Sequence, residues 1–347
     1  MRILVFGDVH WSATSSIVTS RGDKYTTRLN NLINTINWVQ KLSVDTQCDE
    51  IVCLGDFFDR SDLTAEEITA LKEVKWNENI VSHFIVGNHE YNRVYTIFNS
   101  TDALNKPNFK IESIPNKYDI DQYADLYFIP YAIEDERKPL KDYLTDLNPN
   151  KKHIVFSHND IKGIRYGMYL SQEGFELSEI ENSCDLYLNG HLHNGSFLNE
   201  KETILNLGNL TGQNFTEDAF NYSHMCCVLD TETLKMEFYE NPFAFNFYKV
   251  QVDKLADLDL LNNLKNNAVV SIKCLEDYVP QLKEKLAALT NIVQSKIIIY
   301  RKDVEVTTEA VKLNKSANNY MKQFSDCVIE KLGSNDIVRA ELAEVCK

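Results

Sequence analysis

Five short apolar segments of this sequence each run straight into a small polar motif that stops a strand. The motifs contain aspartate, asparagine or histidine next to a glycine or serine: Gly7-Asp8, Gly55-Asp56, Gly87-Asn88, Ser157-His158 and Gly190-His191. Short apolar runs of this kind are typical of buried strands. Because ligand groups of open α/β sheets gather beyond the carboxyl ends of the strands, we expect these five ends to converge on one site.

Helical patterns separate the first strands. Apolar residues fall on one helical face at Leu29, Leu32, Ile33, Ile36 and Val39. A capping box at Thr64 and Glu67 opens a second helix, which we expect to carry Ile68, Leu71 and Val74. Further strands are expected near residues 126–129, 204–207, 225–229 and 234–239. Strands that alternate with helices in this way indicate the α/β class.

The composition changes near residue 245. Strand-like patterns at 247–252, 268–274 and 295–300, with a helix after Pro280, predict a small α+β unit. Residues 303–315 read as a polar linker, and the tail beyond them carries two amphipathic helical patterns. The sequence therefore predicts three parts, with bounds at 1–245, 246–302 and 303–347.

Bulk properties limit the function classes. The chain has 347 residues and a net charge of −15, so it repels nucleic acid at long range unless cations gather locally. Bound divalent metals would reverse that field inside a site. We expect no membrane span, because no apolar run approaches 18 residues. The eight cysteines form no C-x-x-C pair, which predicts reduced thiols and a cytoplasmic protein.

The residue types in the five motifs are metal ligands. Carboxylate, imidazole and amide oxygen suit Mn²⁺, Fe or Zn²⁺, and the lack of a thiol disfavours a structural zinc site. The i, i+2 spacing of Asp8 with His10, and of His191 with His193, lets two ligands flank one tight turn. Isolated histidines such as His83 are expected to be structural, as are His153 and His224.

The order of the motifs resembles the calcineurin-like metallophosphoesterase family. Its pattern of D-x-H, G-D-x-x-D, G-N-H-[DE], H and G-H-x-H is matched between residues 7 and 193. The resemblance implies a metallophosphoesterase β-sandwich flanked by helices. It also implies two divalent metal ions, of which the family favours Mn²⁺, while Mg²⁺, Fe and Zn²⁺ stay open.

The resemblance also implies a role for each site residue. The first metal would be bound by Asp8, His10, Asp56 and His193. The second would share Asp56 as a bridge and be completed by Asn88, His158 and His191. His89 would protonate the leaving group or stabilise its charge, and Asp59 would orient His89. The alternative that Asp8, Asp56 and Asp59 are plain caps stays open. Trp11, Arg21 and Tyr25 are expected only to build the loop after the first motif, with contact to substrate as their alternative role.

Three functions compete at this level. The 129–131 segment resembles nucleases of the SbcD type, and residues 163–193 and 207–211 resemble the small subunit of the recombination endonuclease of T-even bacteriophages. A phosphatase acting on phosphoprotein or a small molecule is the alternative. Serine/threonine phosphatases, however, carry a glycine where this chain has Ser61 and an arginine where it has Val86. An interaction protein that has lost the chemistry is disfavoured, because no predicted ligand is missing.

The nuclease resemblance implies partners. In SbcD-type proteins, a DNA-capping domain stands where this chain has residues 246–302, and helices that bind an SbcC-type ATPase subunit stand where it has 303–347. The resemblance therefore implies DNA as substrate, a homodimer within an ATPase complex, and a role in DNA repair, recombination or replication. It also implies a phage or bacterial source and a place in the cytoplasm.

Overall fold

A computed structural model describes residues 1–301, except 16–17, 19, 92–98, 121 and 167–168. The elements of the first half are β1 (Arg2–Phe6), α1 (Thr27–Asp45), β2 (Glu50–Cys53), α2 (Ala65–Leu71), β3 (Val81–Ile85), β4 (Phe109–Glu112), β5 (Asn116–Asp119), β6 (Ala124–Ile129) and β7 (Lys152–Ser157). Those of the second half are β8 (Ile161–Lys162), β9 (Arg165–Tyr166), β10 (Tyr169–Leu170), β11 (Phe175–Glu176), α3 (Leu177–Ser183), β12 (Leu186–Asn189), β13 (Ser196–Phe197), β14 (Ile204–Asn206), β15 (Met225–Asp230), β16 (Met236–Glu240), β17 (Asn246–Val252), β18 (Ala268–Leu275), α4 (Val279–Ala288) and β19 (Ile292–Tyr300).

Two six-stranded sheets form the main body. The first has the order β16-β15-β1-β2-β3-β4. Strands β1 to β4 are parallel, β15 is antiparallel to β1, and β16 is antiparallel to β15. The second has the order β13-β14-β12-β7-β6-β5, with four parallel strands between antiparallel edge strands. The predicted α/β class is therefore confirmed.

The two sheets pack face to face. The core between them joins side chains such as Val5, Val52 and Ile85 of the first sheet to Phe128 and Phe156 of the second. Alternate side chains of each strand point to the opposite face, where they pack against helices. Each side chain buried in these layers contributes about 1.5–3 kcal/mol relative to its exposed state.

Helices cover the outer faces of both sheets. Helix α1 buries Leu29, Leu32, Ile36 and Val39 against the first sheet, as its sequence pattern predicts, and Thr26 caps its first turn. Helix α3 packs on the second sheet. This arrangement leaves the carboxyl ends of the parallel strands uncovered, which is where the polar motifs lie.

A third, smaller sheet follows in the chain. Its order is β17-β18-β19, with β17 and β18 parallel, and it has its own apolar core with α4 and a 3₁₀ segment at Leu255–Asn263. The predicted α+β elements of this region are therefore present. The predicted boundary at residue 246 coincides with the start of β17, and the division into domains stays a prediction.

Several elements differ from the sequence prediction. Helix α2 ends at Leu71, so Val74 lies beyond it, and Ile68 is 40% exposed instead of buried. The strands β4 and β5 were not expected. Strand β5 is mostly polar because it is an edge strand with exposed faces, so its sequence lacks an apolar run.

Other sequence predictions concern membrane spans, the cysteines and the C-terminal tail. No helix in the described part of the chain is long and apolar enough to cross a membrane. The six described cysteines are free thiols, five of them buried. The predicted linker and tail helices at 303–347, with Cys327 and Cys346, lie outside the described residues.

His83 has a structural place within the first sheet. Its Nδ1 lies 2.8 Å from Oε1 of Glu112 on β4, and its Nε2 lies 3.3 Å from Oε2 of Glu50 on β2. The ring stacks on Phe128 of the other sheet, with centroids 4.6 Å apart. Burial opposes protonation, but the two glutamates outweigh it and raise the pKa of His83 above 6.5.

These two ionic contacts make the contribution of His83 to the free energy of unfolding depend on pH. A raised histidine pKa stabilises the folded state fully below the unfolded value of 6.5, and that contribution is lost as pH rises through the folded pKa. We therefore expect His83→Gln to cost most free energy of unfolding below pH 6.5 and progressively less as the pH rises above that value. Denaturant unfolding of both proteins on both sides of this value measures the difference.

A control separates this effect from the loss of any histidine. In His153→Gln, the ring loses a contact with the backbone carbonyl of Asn148 and a 3.9 Å contact with the carboxylate of Asp185, which is 42% exposed. Among the residues that the structure describes, His153 has no pair of close, largely buried carboxylates like that of His83, so the cost should change less over the same range. A cost of His83→Gln that stays constant with pH would contradict the ion-pair explanation.

Candidate metal centre

The loops after β1 and β2 are joined to each other beyond the ends of their strands. Backbone hydrogen bonds run from the N–H of Asp8 to the carbonyl of Gly55 (3.1 Å) and from the N–H of His10 to the carbonyl of Asp56 (3.0 Å). A third bond runs from Trp11 to Phe57 (2.7 Å). The parallel pairing thus continues into the loops and carries the first two motifs to one place.

Four of the predicted ligands have left-handed backbone conformations. The φ angles are 51° at Asp8, 51° at His10, 46° at Asp56 and 77° at His191. This conformation is uncommon for residues with a Cβ atom and costs about 1–3 kcal/mol each, so it persists only where surrounding contacts enforce it. Its concentration at these strand ends marks them as a functional site.

Steric constraints require glycine at two positions. A Cβ atom on Gly87 would lie 2.2 Å from Oδ1 of Asp56, and one on Gly190 would lie 2.5 Å from the carbonyl oxygen of Leu54. Both distances are far below van der Waals contact. Gly87 therefore allows two loops of the first sheet to approach each other and the ring of His158 from the second sheet to approach them. Gly190 allows a loop of the second sheet to approach one of the first.

One group of side chains meets beside β1. Ligand atoms of Asp8, His10 and His193 all lie within 4.8 Å of one another. The Nε2 atoms of His10 and His193 face each other at 3.1 Å, and Asp8 accepts the backbone N–H of His191. These are three of the four residues expected at the first metal.

A second group meets beside β7. Ligand atoms of Asp56, His158 and His191 also lie within 4.8 Å of one another. Oδ1 of Asn88 lies 3.1 Å from Nε2 of His158 and 2.9 Å from Nδ1 of His191. These are the four residues expected at the second metal.

Asp56 stands between the two groups. Its Oδ1 accepts the backbone N–H of His89 at 3.0 Å, which fixes the carboxylate. Its Oδ2 lies 3.2 Å from Nε2 of His158 and 3.9 Å from Nε2 of His10, so it faces both groups. This is the position expected for a bridging ligand.

The charges of the centre are strongly coupled. Burial opposes ionisation of both Asp56 and His158, but each group stabilises the charge of the other. The pKa of Asp56 is held well below its usual range, and that of His158 is raised to about 10. Because a histidine must be neutral to bind a metal, an ion that binds here displaces the proton of His158.

The donor set fits two divalent cations. It consists of carboxylates, imidazoles and one amide oxygen, which are the ligands of Mn²⁺, Fe and Zn²⁺, and it contains no thiol. Two imidazole nitrogens that face each other, as in His10 and His193, can share at most one proton, whereas both can donate to one cation. The structure brings together all seven predicted metal ligands, and their individual roles stay predictions.

His89 lies at the edge of the centre, where its side chain is 40% exposed. Its Nδ1 is 2.8 Å from the backbone carbonyl of Asp59. A carbonyl only accepts, so Nδ1 carries a proton and Nε2 is left facing the metal groups, 3.9 Å from Oδ2 of Asp56.

The carboxylate of Asp59 lies against Nδ1 of His10, at 3.2 Å, and within 4.8 Å of a ring nitrogen of His89. The role of this carboxylate in orienting His89 stays a prediction. The backbone of Asp59 also holds His89, and the loop turns the Asp59 side chain toward the first motif. Although burial opposes it, the hydrogen bond with His10 lowers the pKa of Asp59. Asp59 therefore belongs to the surroundings of His10.

Glu90, the last residue of the third motif, had no predicted role. Its buried carboxylate accepts the backbone N–H of Phe58 at 2.9 Å and that of Gly87 at 2.7 Å, so it ties two ligand loops together. Burial and the charge of Asp56 raise the pKa of Glu90 to about 8. Its position within the third motif is the sequence feature that could have indicated a role at this site.

Two further carboxylates were missed. Asp160 lies 3.3 Å from Nε2 of His191, and Glu217 lies 3.2 Å from Nδ1 of His193. Asp160 follows His158 by two residues, which was a weak signal. Glu217 had no signal, since it lies 24 residues after its partner in a polar loop.

Three of the residues expected to build a loop or to be structural are buried: Trp11, Tyr25 and His224. A loop-building role for Trp11 and Tyr25 requires this burial. His224, however, has its Nε2 3.8 Å from Oε2 of Glu217. It therefore packs directly behind the centre, although no motif includes it.

A cleft of about 640 Å³ opens beside the first group. Its lining combines site residues with hydroxyl, amide and guanidinium groups: His10, Ser12, Thr14, Ser15, Arg28, Asp59, His89, His193, Gln213 and Asn214. None of these side chains is an aliphatic or carbocyclic aromatic one. The cleft therefore suits a polar ligand.

A family comparison agrees with this geometry. The sequence model of the calcineurin-like phosphoesterase family matches residues 1–195, which is more than half of the chain. The chain therefore belongs to the calcineurin-like phosphoesterase family. Membership implies a metal-dependent phosphoester hydrolase, and the matched segment contains all nine predicted site residues.

Other comparisons add little. Among curated proteins, no significant match is found. Among solved structures, a dimetal phosphatase from Danio rerio is similar over 70% of this chain and 99% of its own, at 10% identity and a TM-score of 0.41. A likeness this low carries no argument about the substrate.

Gly87→Ala should abolish the centre without adding a polar group. The new methyl would stand 2.2 Å from Oδ1 of Asp56 and 2.9 Å from Nε2 of His158, so both ligands must move. We expect the bound Mn²⁺, measured by elemental analysis after dialysis, to fall from two ions per chain toward none.

The matched control is Gly163→Ala. It adds the same methyl group where no atom lies within 4 Å, and only the positive φ of 80° opposes it. It should bind metal normally with a small loss of thermal stability. Full Mn²⁺ binding by Gly87→Ala would show that the loops are not packed as described.

Proposed function

We propose that this protein is a metal-dependent DNA nuclease that hydrolyses phosphodiester bonds. The observation that carries the proposal is the polar cleft beside His89. Clefts of roughly 300–1,000 Å³ hold whole drug-sized ligands. The cleft of about 640 Å³ therefore has room for a phosphate together with the groups attached to it. Its hydroxyl and amide lining offers hydrogen bonds to a sugar-phosphate chain.

Arg28 supports an anionic ligand in this cleft. Its guanidinium is buried and donates to the carbonyl of Gly212 (2.8 Å) and to the hydroxyl of Thr211 (2.9 Å). Within the described residues, no carboxylate lies within ion-pair distance of it. Burial lowers the pKa of Arg28 to about 10, so the group still carries its charge at neutral pH. A fixed positive charge thus borders the cleft of an acidic protein.

The reaction assigns different tasks to the residues. Two bound cations would supply an activated hydroxide and neutralise charge on the phosphate. Asp8, His10, Asp56 and His193 would hold one ion, and Asp56, Asn88, His158 and His191 the other. With its Nδ1 proton engaged by the carbonyl of Asp59, His89 would act as an imidazolium and deliver its second proton, on Nε2, to the leaving oxygen.

The assignment to DNA is supported by the resemblance to SbcD-type nucleases. The chain continues for more than 150 residues after the G-H-x-H motif, and the unit with β17, β18, β19 and α4 stands where those proteins carry a DNA-capping domain. We extend the proposal to an SbcC-type ATPase partner, a homodimer within that complex, and DNA repair or recombination in a bacterial or phage-infected cytoplasm.

A phosphatase acting on phosphoprotein or small-molecule phosphoesters is the second candidate. The net charge of −15 favours it, because such a surface repels a polyanion. Against it stands Val86, at the position where serine/threonine phosphatases have a phosphate-binding arginine. The ATPase partner would supply the DNA affinity that the charge of this chain lacks.

An assay that compares substrates tests the proposal. The purified chain with Mn²⁺ should digest end-labelled duplex or single-stranded DNA in preference to p-nitrophenyl phosphate and a phosphopeptide. Asp56→Asn, which removes the bridging charge, should reduce all hydrolysis to background. If the wild-type chain cleaves the phosphopeptide readily and leaves both DNA forms intact, the phosphatase is the better assignment.

His89→Ala should separate turnover from metal binding. It removes the proton donor but none of the predicted ligands, so we expect kcat to fall by about 10²- to 10⁴-fold. Mn²⁺ stoichiometry should stay at the wild-type value, and His153→Ala, outside the centre, should keep its activity. Loss of both ions from His89→Ala would assign this histidine to metal binding.

A further inference from the structure

The two histidines of the last motif share one arrangement. His193 turns Nε2 toward His10 at 3.1 Å and Nδ1 toward Glu217 at 3.2 Å. His191 turns Nδ1 toward Asn88 at 2.9 Å and Nε2 toward Asp160 at 3.3 Å. Each ring therefore faces the centre with one nitrogen and an outer carboxylate with the other.

An outer carboxylate determines which ring nitrogen is protonated. An ionised carboxylate only accepts, so the proton of each neutral ring is held on the outer nitrogen and the lone pair points to the centre. Such a contact also fixes the ring plane and makes the inner nitrogen a better donor. His10 and His158 have outer partners too. The partner of His10 is the carboxylate of Asp59, which is 39% exposed. The partner of His158 is the uncharged carbonyl of Leu54.

Glu217 is held in place by contacts with other protein groups. Its side chain is 2% exposed, and it accepts Nδ2 of Asn209 at 2.6 Å and the backbone N–H of Gln213 at 2.9 Å. Asn209 also donates its backbone N–H to the carbonyl of His193 at 3.0 Å. One residue thus holds both the carboxylate and the histidine that it orients.

Asp160 is held less firmly. Its side chain is 21% exposed, and its partner among the described residues is His191, which is itself 19% exposed. Its backbone is anchored, because its carbonyl accepts the N–H of Phe175 at 3.0 Å. The second group of ligands therefore has a more accessible outer contact than the first.

We propose that Glu217 and Asp160 are positioning residues, one for each metal site. Glu217 aims His193 at the first ion, and Asp160 aims His191 at the second. The two sites therefore have separately set affinities, and the site with the more rigid support, that of Glu217, binds the tighter ion. The proposal rests on the metal centre and does not depend on DNA as the substrate.

Titration of the metal-free full chain with Mn²⁺ tests the proposal directly. Calorimetry follows the affinity of each site, and electron paramagnetic resonance distinguishes isolated from spin-coupled Mn²⁺. Loss of a carboxylate that supports a metal-binding histidine weakens metal binding by about 10- to 100-fold. Glu217→Gln should weaken the tighter site by that factor, and Asp160→Asn should weaken the other, each leaving the remaining site nearly unchanged.

Reference variants identify which site has changed. His193→Gln and His191→Gln each remove one direct ligand, so Glu217→Gln should resemble the first and Asp160→Asn the second. In either positioning variant, excess Mn²⁺ should restore the spin-coupled signal, because every direct ligand remains. Hydrolysis plays no part in these readouts, so they stay valid if the proposed substrate is wrong.

Glu112→Gln is the matched control. It changes a carboxylate equally buried against a histidine, His83, at 2.8 Å but outside the centre. It should lower thermal stability and leave both Mn²⁺ affinities unchanged. If Glu217→Gln does not fold, Asn209→Ser removes the 2.6 Å contact with Glu217 and should weaken the same site to a smaller degree.

Two results would overturn the proposal. One is wild-type Mn²⁺ affinity at both sites in Glu217→Gln and also in Asp160→Asn. If Glu217→Gln does not fold, Asn209→Ser takes its place in this comparison. The other is equal weakening of both sites by each variant, which would mean that the carboxylates support the fold as a whole and not individual ligands.

Discussion

The centre depends on backbone turns that are unfavourable in isolation. Asp8, His10, Asp56 and His191 all occupy the left-handed region, and no side chain alone would keep them there. The hydrogen bonds that continue the pairing of β1 and β2 into their loops hold three of the four. The sandwich therefore acts as a rigid frame whose packing energy offsets the strain at its edge.

Ligands from two separate sheets must also meet. The N–H of Tyr131, after β6, bonds to the carbonyl of Val86 after β3, and Nδ1 of His158 bonds to the carbonyl of Leu54 after β2. These contacts cross between the sheets beside the centre. The close approach at Gly87 and Gly190 makes them possible, so fold and site share the same contacts.

Most of the fold could be predicted because its inner strands are continuous apolar runs. The bounds of β1 agree with the sequence pattern, whereas β5 was missed because an edge strand needs no apolar face. The ligand side chains could be predicted because they lie within short motifs. Glu217 could not, since its contact with His193 depends on how a loop folds back. The contact of the Asp59 carboxylate with His10 could not be predicted either, because it depends on one side-chain rotation.

The hydrogen bond from Nδ1 of His89 is accepted by a main-chain carbonyl, not by a side chain. Every amino acid has that carbonyl, so no single substitution at position 59 deletes the acceptor itself. A substitution at position 59 would therefore change the surroundings of His10 and leave the hydrogen bond to His89 in place. By contrast, the outer contacts of His191 and His193 are made by side chains that a single substitution removes.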